Sequence, residues 1–145
     1  MTIVEFPHGS PGYLELVRLR DLHLRKPIGL WMSEQDLAGE ETQRHFALIW
    51  NDVILGGLVA NPIRTDTAKL RQMWVDPSLR GQGRGRQLLE EVELRLATEG
   101  IRHFILNARE SAVGFYQSSG YEVVGETFTE VGIPHVRMEK LIQQM

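Results

Sequence analysis

The sequence predicts an α/β protein built as one domain, and three observations support that prediction. Segments with strand patterns alternate along the chain with segments that have helix patterns. An apolar strand pattern, Thr67 to Val75, is followed by a glycine-rich turn and then by an amphipathic helix pattern, Gly83 to Glu99. The chain has 145 residues, which is enough for one core, so we expect a single domain over residues 1–145.

Five further elements are predicted before the glycine-rich turn. Ile3 to Phe6 is a short strand, and Tyr13 to Arg25 is a helix with its apolar residues on one face. Ser33 is typical of a helix N-cap, because an acidic first turn follows it. Two apolar runs, His45 to Trp50 and Val53 to Asn61, flank an Asn-Asp pair and predict a β-hairpin.

The elements after the glycine-rich helix are shorter. Ile101 to Asn107 is a strand pattern, and Ser111 to Ser119 is a short helix pattern. Two more strands are predicted at Tyr121 to Val124 and at Val136 to Leu141. The predicted order is therefore β-α-α-β-β-β-α-β-α-β-β, with the glycine-rich turn between the fourth strand and the helix that follows it.

Cysteine and histidine usage excludes several kinds of site. The chain contains no cysteine, so it has no disulfide, zinc–thiolate site, iron–sulfur cluster or cysteine nucleophile. Four of its histidines, His8, His23, His45 and His103, do not have metal-ligand spacing. We therefore expect no metal ion in the functional site.

Charge and hydropathy predict the compartment and exclude some partners. The net charge of −3 and the pI of about 5.9 argue against general nucleic-acid binding. The apolar runs are shorter than a membrane span. The first residues, Met1 to Pro7, lack the basic and apolar regions of a signal peptide. We expect a cytoplasmic protein with neither nucleic acid nor a membrane as partner.

The glycine-rich turn has the chemistry of a phosphate site. It consists of Arg80, Gly81, Gln82, Gly83, Arg84 and Gly85, directly before a helix. Arg71, Arg80, Arg84 and Arg86 are expected around this site. Glycines allow backbone N–H groups to converge on an anion, and the helix dipole adds about half a positive charge there. A P-loop would require Gly-Lys-Ser/Thr, and a dinucleotide fingerprint would require a glycine at position 86, where this chain has Arg86. A glycine-rich structural turn is the alternative.

The order Arg-x-x-Gly-x-Gly after a Val-x-Pro strand end resembles motif A of the Gcn5-related N-acetyltransferases (GNAT). The resemblance implies that residues 80–85 hold the pyrophosphate of acetyl-CoA. It also implies a mixed sheet of about six to seven strands with about four helices. In that fold two strands separate, and backbone groups near Met73, Trp74 and Val75 would pair with the pantetheine arm of the cofactor.

A second segment, Ala112 to Tyr121, resembles GNAT motif B. The resemblance implies that the hydroxyl of Tyr116 lies near the departing sulfur and that Phe115 packs beside the cofactor, although core packing also suits Phe115. Many relatives have Asn or Gln where this chain has Arg109, and there that residue contacts the pantetheine. Either Arg109 or Asn107 could take that role, and a solvated Arg109 is the alternative.

Two more segments resemble an ElaA/YjcF-like subgroup of the family. One is Gly132-Ile133-Pro134-His135 with Met138, and the other is Leu24-Arg25-Lys26-Pro27-Ile28-Gly29. The resemblance thus covers most of the chain. It carries little information about the acceptor substrate.

The reaction implied by the resemblance is direct transfer of an acetyl group from a thioester to an amine. His135 is the candidate base, because imidazole titrates near neutral pH; a structural histidine is the alternative. Glu126 and Glu130, on an expected loop, are further candidates for the base. Tyr116 would donate a hydrogen bond to the thiolate, and Arg71 and Gln72 either bind substrate or face solvent.

Two functions are consistent with these motifs. The first is an acetyl-CoA-dependent N-acetyltransferase that acts on a primary amine of a small molecule or protein. The second is a non-catalytic sensor or scaffold that binds acyl-CoA. A homodimer is expected by family analogy.

Overall fold

The computed structural model describes residues 1–142, which form one seven-stranded mixed sheet with α-helices on both faces. The strands are β1 (Thr2–Phe6), β2 (Arg44–Trp50), β3 (Val53–Arg64), β4 (Thr67–Val75), β5 (His103–Arg109), β6 (Glu122–Glu130) and β7 (Ile133–Leu141). The α-helices are α1 (Pro11–Arg20), α2 (Glu34–Leu37), α3 (Arg84–Ala97) and α4 (Val113–Ser118). None of the helices within residues 1–142 is long and apolar enough to cross a membrane.

The sheet contains one parallel strand pair, and that pair separates. The strand order is β1-β2-β3-β4-β5-β7-β6, and only β4 and β5, which α3 connects, run parallel. Their pairing begins at Thr67 opposite His103 and ends at Leu70 opposite Leu106. A bulge in β4 lies just beyond this point, where Gln72 has a φ of 50°. The facing edges of β4 and β5 therefore lack strand partners beyond Leu70 and Leu106, which opens a cleft in the sheet.

Two apolar clusters hold the helices on opposite faces of the sheet. The larger cluster joins Leu88 and Val92 of α3 to Phe104 and Met138 of the sheet, and all four side chains are fully buried. The smaller cluster joins Leu16 and Leu19 of α1 to Ala47 and Trp74. Strand residues alternate between the two clusters, as the pleat requires. We refer to the two sides of the sheet as the α1 face and the α3 face.

The first predicted helix ends earlier than its apolar pattern indicated. α1 stops at Arg20, and a π-helical turn continues the chain from Asp21 to Arg25. In this turn the N–H of Lys26 donates to the carbonyl oxygen of Asp21, five residues back. Pro27 follows and cannot continue the helical bonding, because it has no N–H. The turn moves Leu24 and Arg25 to a different angle from that of a straight helix.

Two other predicted boundaries were wrong for local reasons. Gly83 is the N-cap of α3 rather than its first residue, because it has left-handed backbone angles. The stretch 125–135, expected as a loop, extends the hairpin of β6 and β7 around a turn at Val131-Gly132. Glu126 and Glu130 thus belong to strand β6. Thr127, Phe128 and Thr129 favour strand structure, which accounts for the extension.

A buried ionic network supports the α1 face. The Glu40 side chain is completely buried, and its carboxylate accepts hydrogen bonds from Arg20 at 2.6 and 2.9 Å, from Arg71 at 3.0 Å and from the Tyr13 hydroxyl at 2.8 Å. Arg20 also donates through Nε to the side-chain oxygen of Gln72 at 2.5 Å, which ties the β4 bulge to α1. The sequence placed Arg71 near the phosphate loop, and that placement was wrong, since Glu40 and Gln43 engage it.

Candidate active site at the split between β4 and β5

A cavity of about 610 Å³ fills the cleft where β4 and β5 separate. Its lining comes from both faces of the sheet. On the α3 face it includes Met73 and Tyr116, and on the α1 face it includes Arg25, Arg109 and His135. The cavity therefore passes between the two strands, so that a molecule on one face can meet a molecule that enters from the other.

The glycine loop before α3 has the geometry of an anion site. Gly81 and Gly83 have φ values of 77° and 73°, which side-chain-bearing residues adopt only with strain. The N–H groups of Gly83, Arg84 and Gly85 donate to no protein acceptor among residues 1–142. These N–H groups stand at the N-terminus of a 14-residue helix, where the dipole favours an anion. The loop thus fits a phosphate group.

The glycine at position 85 is required for close packing and not for an unusual backbone angle. A Cβ at this position would lie 3.4 Å from the ring of Phe115 and 3.5 Å from a methyl group of Val75. The missing side chain lets the start of α3 pack closely against α4 and the end of β4. The Phe115 ring therefore packs directly against the backbone of Gly85 at the end of the loop.

The arginines of the loop differ in their partners. Arg80 is exposed and has no ion pair among the described residues, and Arg84 donates to Gln87 at 2.9 Å. The buried Nε of Arg84 has no acceptor. Arg86, in contrast, is paired with Glu90 at 2.7 Å. Arg80 and Arg84 are consequently the loop arginines whose positive charge no carboxylate neutralises.

Tyr116 is held at the α3-face end of the cavity. Its hydroxyl lies 3.7 Å from the sulfur of Met73, and its ring makes edge contacts with Phe115 and Tyr121 at centroid distances of 5.0 and 5.7 Å. Burial raises the pKa of Tyr116 to about 12. The phenol therefore remains protonated at neutral pH and is available as a hydrogen-bond donor inside the cavity.

His135 lies in the cavity wall on the α1 face, with an exposed fraction of 4%. Its Nδ1 lies 2.8 Å from the carbonyl oxygen of Ile133. Because a carbonyl oxygen only accepts, Nδ1 carries the hydrogen and Nε2 carries the lone pair of the neutral ring. Glu130 lies 3.6 Å from Nε2, close enough to stabilise a protonated ring. Glu130 therefore faces Nε2, the ring nitrogen that could accept a proton.

Asn107 and Arg109 both face the cavity from β5. The side-chain nitrogen of Asn107 donates to Glu130 at 3.2 Å, and a terminal nitrogen of Arg109 donates to the carbonyl oxygen of Leu24 at 2.9 Å. Burial, and then the nearby charge of Arg25, lower the pKa of Arg109. Arg109 is therefore half-buried rather than solvated. Which of the two residues contacts a pantetheine arm stays a prediction.

Met73, Trp74 and Val75 turn to alternate faces after the bulge. Met73 and Val75 pack on the α3-face cluster. Trp74 is buried on the α1 face, where its ring stacks on His23 at 4.4 Å. Gly57 provides the necessary space, since a Cβ there would lie 2.5 Å from the indole nitrogen. The Trp74 side chain is thus a core residue, and only its backbone remains for the predicted contact with pantetheine.

Sequence reasoning did not single out several cavity residues of the α1–α2 region. The main ones are Arg25, which donates to Asp36 at 3.1 Å, and Asp36 itself, which forms a capping box with Ser33. The available signal was the segment Leu24 to Gly29, which resembles a subgroup motif. The motif indicated a family but could not indicate that Arg25 turns into the cavity.

A mixed sheet that splits between parallel strands, with a glycine loop at a helix N-terminus after the first of them, defines the acyl-CoA N-acyltransferase fold. The model of the acetyltransferase (GNAT) domain family matches residues 30–142. The chain belongs to this acetyltransferase family.

Curated relatives match this chain over part of its length. YjcF of Bacillus subtilis (strain 168), whose name describes an uncharacterized N-acetyltransferase, is 41% identical over 73 residues, which are 50% of this chain and 52% of YjcF. YyaT from the same organism is 35% identical over 78 residues, which are 54% of this chain and 53% of YyaT. The matched part spans about half the length of these relatives.

Solved structures match the whole fold. A protein from Lactobacillus plantarum has a TM-score of 0.85 at 23% identity and covers 98% of both chains. Escherichia coli ElaA has a TM-score of 0.80 at 24% identity, covering 97% of this chain and 99% of its own. A GNAT-family acetyltransferase from Elizabethkingia anophelis, solved with acetyl-CoA bound, has a TM-score of 0.72 at 20% identity and covers 97% of both. These similarities show the shared fold.

Proposed function

We propose that this protein transfers the acetyl group of acetyl-CoA directly to a primary amine of a small molecule or protein. The observation that carries the proposal is the cavity through the sheet, which has Tyr116 on one side and the His135–Glu130 pair on the other. Membership of the acetyltransferase family supports acetyl-CoA as the donor. The bound acetyl-CoA in the Elizabethkingia anophelis structure supports the same donor for this fold.

The glycine loop and the open strand edge are the proposed donor site. The free N–H groups of Gly83 to Gly85, with Arg80 and Arg84, would hold the pyrophosphate. The β4 edge from Met73 to Val75 would hold the pantetheine arm, which carries no charge. The thioester supplies an activated acetyl group at the point where the arm reaches the cavity.

The proposed reaction needs one base, one hydrogen-bond donor to the acetyl oxygen and one hydrogen-bond donor to the thioester sulfur. The amine nitrogen forms a bond to the acetyl carbonyl carbon, and the bond from that carbon to sulfur breaks. His135 Nε2 accepts the proton that the nitrogen loses, and Glu130 stabilises the resulting imidazolium. A backbone N–H near Met73 would stabilise the negative oxygen. Tyr116 donates a hydrogen bond to the sulfur, which finally leaves as the thiol of CoA.

Tyr116 is a stabiliser of the thiolate rather than its acid. The ordinary pKa of a thiol is about 8.5, whereas burial raises the pKa of Tyr116 to about 12. Complete proton transfer from the phenol would therefore be uphill by about 5 kcal/mol. The thiolate would take its proton from solvent or from the imidazolium of His135. Until then the hydrogen bond from Tyr116 would stabilise the negative charge on the sulfur.

The donor site is tested by a calorimetric titration with acetyl-CoA beside adenosine 3′,5′-bisphosphate and ATP. We expect saturable binding of acetyl-CoA that is much tighter than binding of ATP. Gly83→Val should weaken acetyl-CoA binding by about tenfold or more, because a β-branched residue strains the left-handed angle by about 1–2 kcal/mol and distorts the loop. Failure of the folded, ligand-free protein to bind acetyl-CoA would rule out the proposed function.

Gly9→Val is the matched control for the loop variant. Gly9 has a φ of 81° and open space where a Cβ would stand, like Gly83, but it lies in the turn between β1 and α1. It should lose a similar amount of stability and keep the wild-type affinity for acetyl-CoA. Equal losses of affinity in the two variants would show that the loop has no direct role.

The proposed base is tested by the pH dependence of turnover. His135→Asn keeps a side-chain N–H that can reach the Ile133 carbonyl but removes the accepting Nε2. We expect kcat/KM to fall by about a hundredfold, at the lower end of the range for general bases, because some amine is already neutral in solution. The variant should also lose the part of the pH profile of kcat/KM that the proposed base produces. An unchanged pH profile would assign His135 a structural role.

We also propose that residues 1–145 form one domain, and that the protein is a homodimer in the cytoplasm. Strand β6 supports the dimer, because it is an edge of the sheet and all nine of its residues are exposed, including Val123, Val124 and Phe128. Light scattering of the purified chain measures the oligomeric state, and a monomer at micromolar concentration would exclude the dimer.

A further inference from the structure

We infer that the acceptor amine also carries an oxyanion, a carboxylate or a phosphate, which Arg25 and Arg109 bind on the α1 face of the cavity. The inference rests on the proposed function and adds the chemical class of the acceptor: a small amino-acid-like molecule. Four observations lead to it.

The first observation is that two arginines from distant segments are adjacent in the cavity wall. Arg25 ends the π-helical turn after α1, and Arg109 ends β5. Arg109 donates through Nη2 to the carbonyl oxygen of Leu24, the residue directly before Arg25, at 2.9 Å. Both arginines line the cavity. The fold therefore brings both arginines to the cavity wall, with Arg109 bonded to the residue next to Arg25.

The second observation is that carboxylates only partly neutralise these cations. Arg25 is 7% exposed and donates through Nη2 to Asp36, but its buried Nε has no acceptor. Arg109 forms no ion pair with any carboxylate among residues 1–142. Burial first, and then repulsion by the like charge of Arg25, lower the pKa of Arg109, while the charge of Glu130 raises it. An anion between them would remove this repulsion.

The third observation is that the other charged groups of the cavity already have partners or increase the positive charge. Arg71 is paired with the buried Glu40, a carboxylate that it shares with Arg20, and Glu130 accepts a hydrogen bond from Asn107 and faces His135. Lys69 adds a positive charge and forms no ion pair within the described part of the chain. The unneutralised positive charge thus faces the part of the cavity where the acceptor would enter.

The fourth observation is the register of β5 and β7. Arg109 lies directly opposite His135, so the two side chains share the α1 face. Opposite residues of antiparallel strands have Cα atoms about 4.5 to 5.5 Å apart. A nitrogen that gives its proton to His135 and an oxyanion bound by Arg109 would therefore be separated by a short span, as in a small amino acid.

The neutral pantetheine arm does not explain this pair of cations. An arm without charge needs hydrogen-bonding groups but no pair of guanidinium groups, and the phosphates of the donor have their own site at the glycine loop. A planar guanidinium binds carboxylate and phosphate through two parallel hydrogen bonds, which is the chemistry that Arg109 leaves unused.

The experiment measures binding and turnover separately. The CoA-saturated full chain is titrated with N-acetylglycine and N-acetyl-β-alanine, with their neutral carboxamides, and with N-acetyl-aminomethylphosphonate. We expect at least one of the anionic ligands to bind about tenfold or more tightly than the matching amide, which is the effect of a charge-assisted hydrogen bond. The affinity of the phosphonate, compared with that of the carboxylates, shows which of the two oxyanions the site prefers. Equal binding of all anions and amides, or binding of none, would overturn the inference.

Variants locate the effect. Arg109→Gln should reduce the preference for the anion to about twofold or less, while Arg109→Lys should keep part of the preference. Arg137→Gln is the control, because Arg137 is an exposed arginine of β7 that pairs with Glu139 outside the cavity. The control should behave like the wild type. An Arg109→Gln variant that keeps the full preference would overturn the inference.

Turnover with the free amines separates this inference from the proposed function. Acetylation of glycine or β-alanine in preference to glycinamide or β-alaninamide, lost mainly through KM in Arg109→Gln, would support both. Equal acetylation of amino acids and amides would leave the acetyltransferase in place and exclude the oxyanion site. Anion-specific binding without any acetyl transfer would support the site and contradict the proposed reaction.

Discussion

Replacing Tyr116 with phenylalanine is expected to lower kcat by about a thousandfold while leaving the affinity for acetyl-CoA within about twofold of the wild type. The variant keeps the aromatic ring, which packs against Phe115 and Tyr121, and removes only the hydroxyl beside Met73. That hydroxyl would be the donor to the departing sulfur. In a buried site an unstabilised thiolate is costly, so the loss falls on the transition state rather than on binding.

The pKa of Tyr116 predicts how the wild-type rate depends on pH. Because burial raises that pKa to about 12, the hydroxyl remains a donor throughout the neutral and moderately alkaline range. The rate of the wild type should therefore not fall through loss of the Tyr116 proton below about pH 10. A fall near pH 9 that disappears in Tyr116→Phe would contradict the burial of this hydroxyl.

Tyr13→Phe is the control for the Tyr116 variant. It removes the hydroxyl that donates to Glu40 and lies outside the cavity, so it should lower stability and leave kcat unchanged. Turnover is measured by release of the CoA thiol, and affinity by calorimetry. If Tyr116→Phe loses neither, the Tyr116 hydroxyl has no role in the chemical step; the acyl-CoA sensor describes only a wild type that binds acetyl-CoA without turnover. If the variant loses affinity alone, Tyr116 contributes to binding rather than to the chemical step.

Glu40→Gln is expected to lower the free energy of unfolding by about 3–5 kcal/mol, the usual loss when one partner of a buried ion pair is removed. The Glu40 side chain has an exposed fraction of 0%, and its carboxylate accepts from Arg20, Arg71 and Tyr13. The neutral amide would leave the buried guanidinium of Arg20 and the partly exposed one of Arg71 without a counter-charge. For a chain of this size the melting temperature should fall by roughly 10 °C.

The pH dependence of stability follows from the direction of the pKa shift. Hydrogen bonds and charge from Arg20, with smaller contributions from Tyr13 and Arg71, outweigh the desolvation of Glu40 and lower its pKa to about 2. A carboxyl group with a depressed pKa contributes stability that is fully present above its ordinary pKa of about 4.5. That contribution is lost as the pH falls from 4.5 toward 2. The difference between the wild type and Glu40→Gln should therefore shrink over this interval.

Urea unfolding at pH 7 and at pH 3 measures both effects. The matched control is Glu41→Gln, which changes the neighbouring exposed glutamate and should alter stability by less than about 0.5 kcal/mol. A Glu40→Gln variant as stable as this control at pH 7 would show that the network adds nothing to the fold. A difference that stays the same at pH 3 would contradict the lowered pKa of Glu40.

The parts of the site that could be predicted from the sequence are those set by neighbouring residues. Positive φ angles at Gly81 and Gly83 follow from a glycine turn before an amphipathic helix. The helix that carries Tyr116 follows from the apolar spacing of Ala112, Phe115 and Tyr116. The mixed sheet of six to seven strands required the family resemblance as well, and the seven-stranded mixed sheet confirmed it.

The parts that could not be predicted depend on where distant segments meet. Sequence spacing predicted a continuous helix to Arg25, whereas the chain forms a π-helical turn that brings Leu24 to Arg109, 85 residues away. Arg71 was expected at the phosphate loop or in contact with substrate, whereas it lies beside Glu40 and supports the bulge region of β4. An arginine can make either contact, and its own sequence neighbours do not distinguish them.

The sequence by itself determined the class of the fold, the position of the anion loop and the helix that presents Tyr116, because turn chemistry and apolar periodicity act over a few residues. Only the tertiary structure decided which face each polar side chain occupies. The bulge at Gln72 sets which face each later residue of β4 occupies. The register of β5 and β7, together with the π-helical turn after α1, unites Arg25, Arg109 and His135 in one cavity, because a one-residue offset in a strand exchanges its two faces.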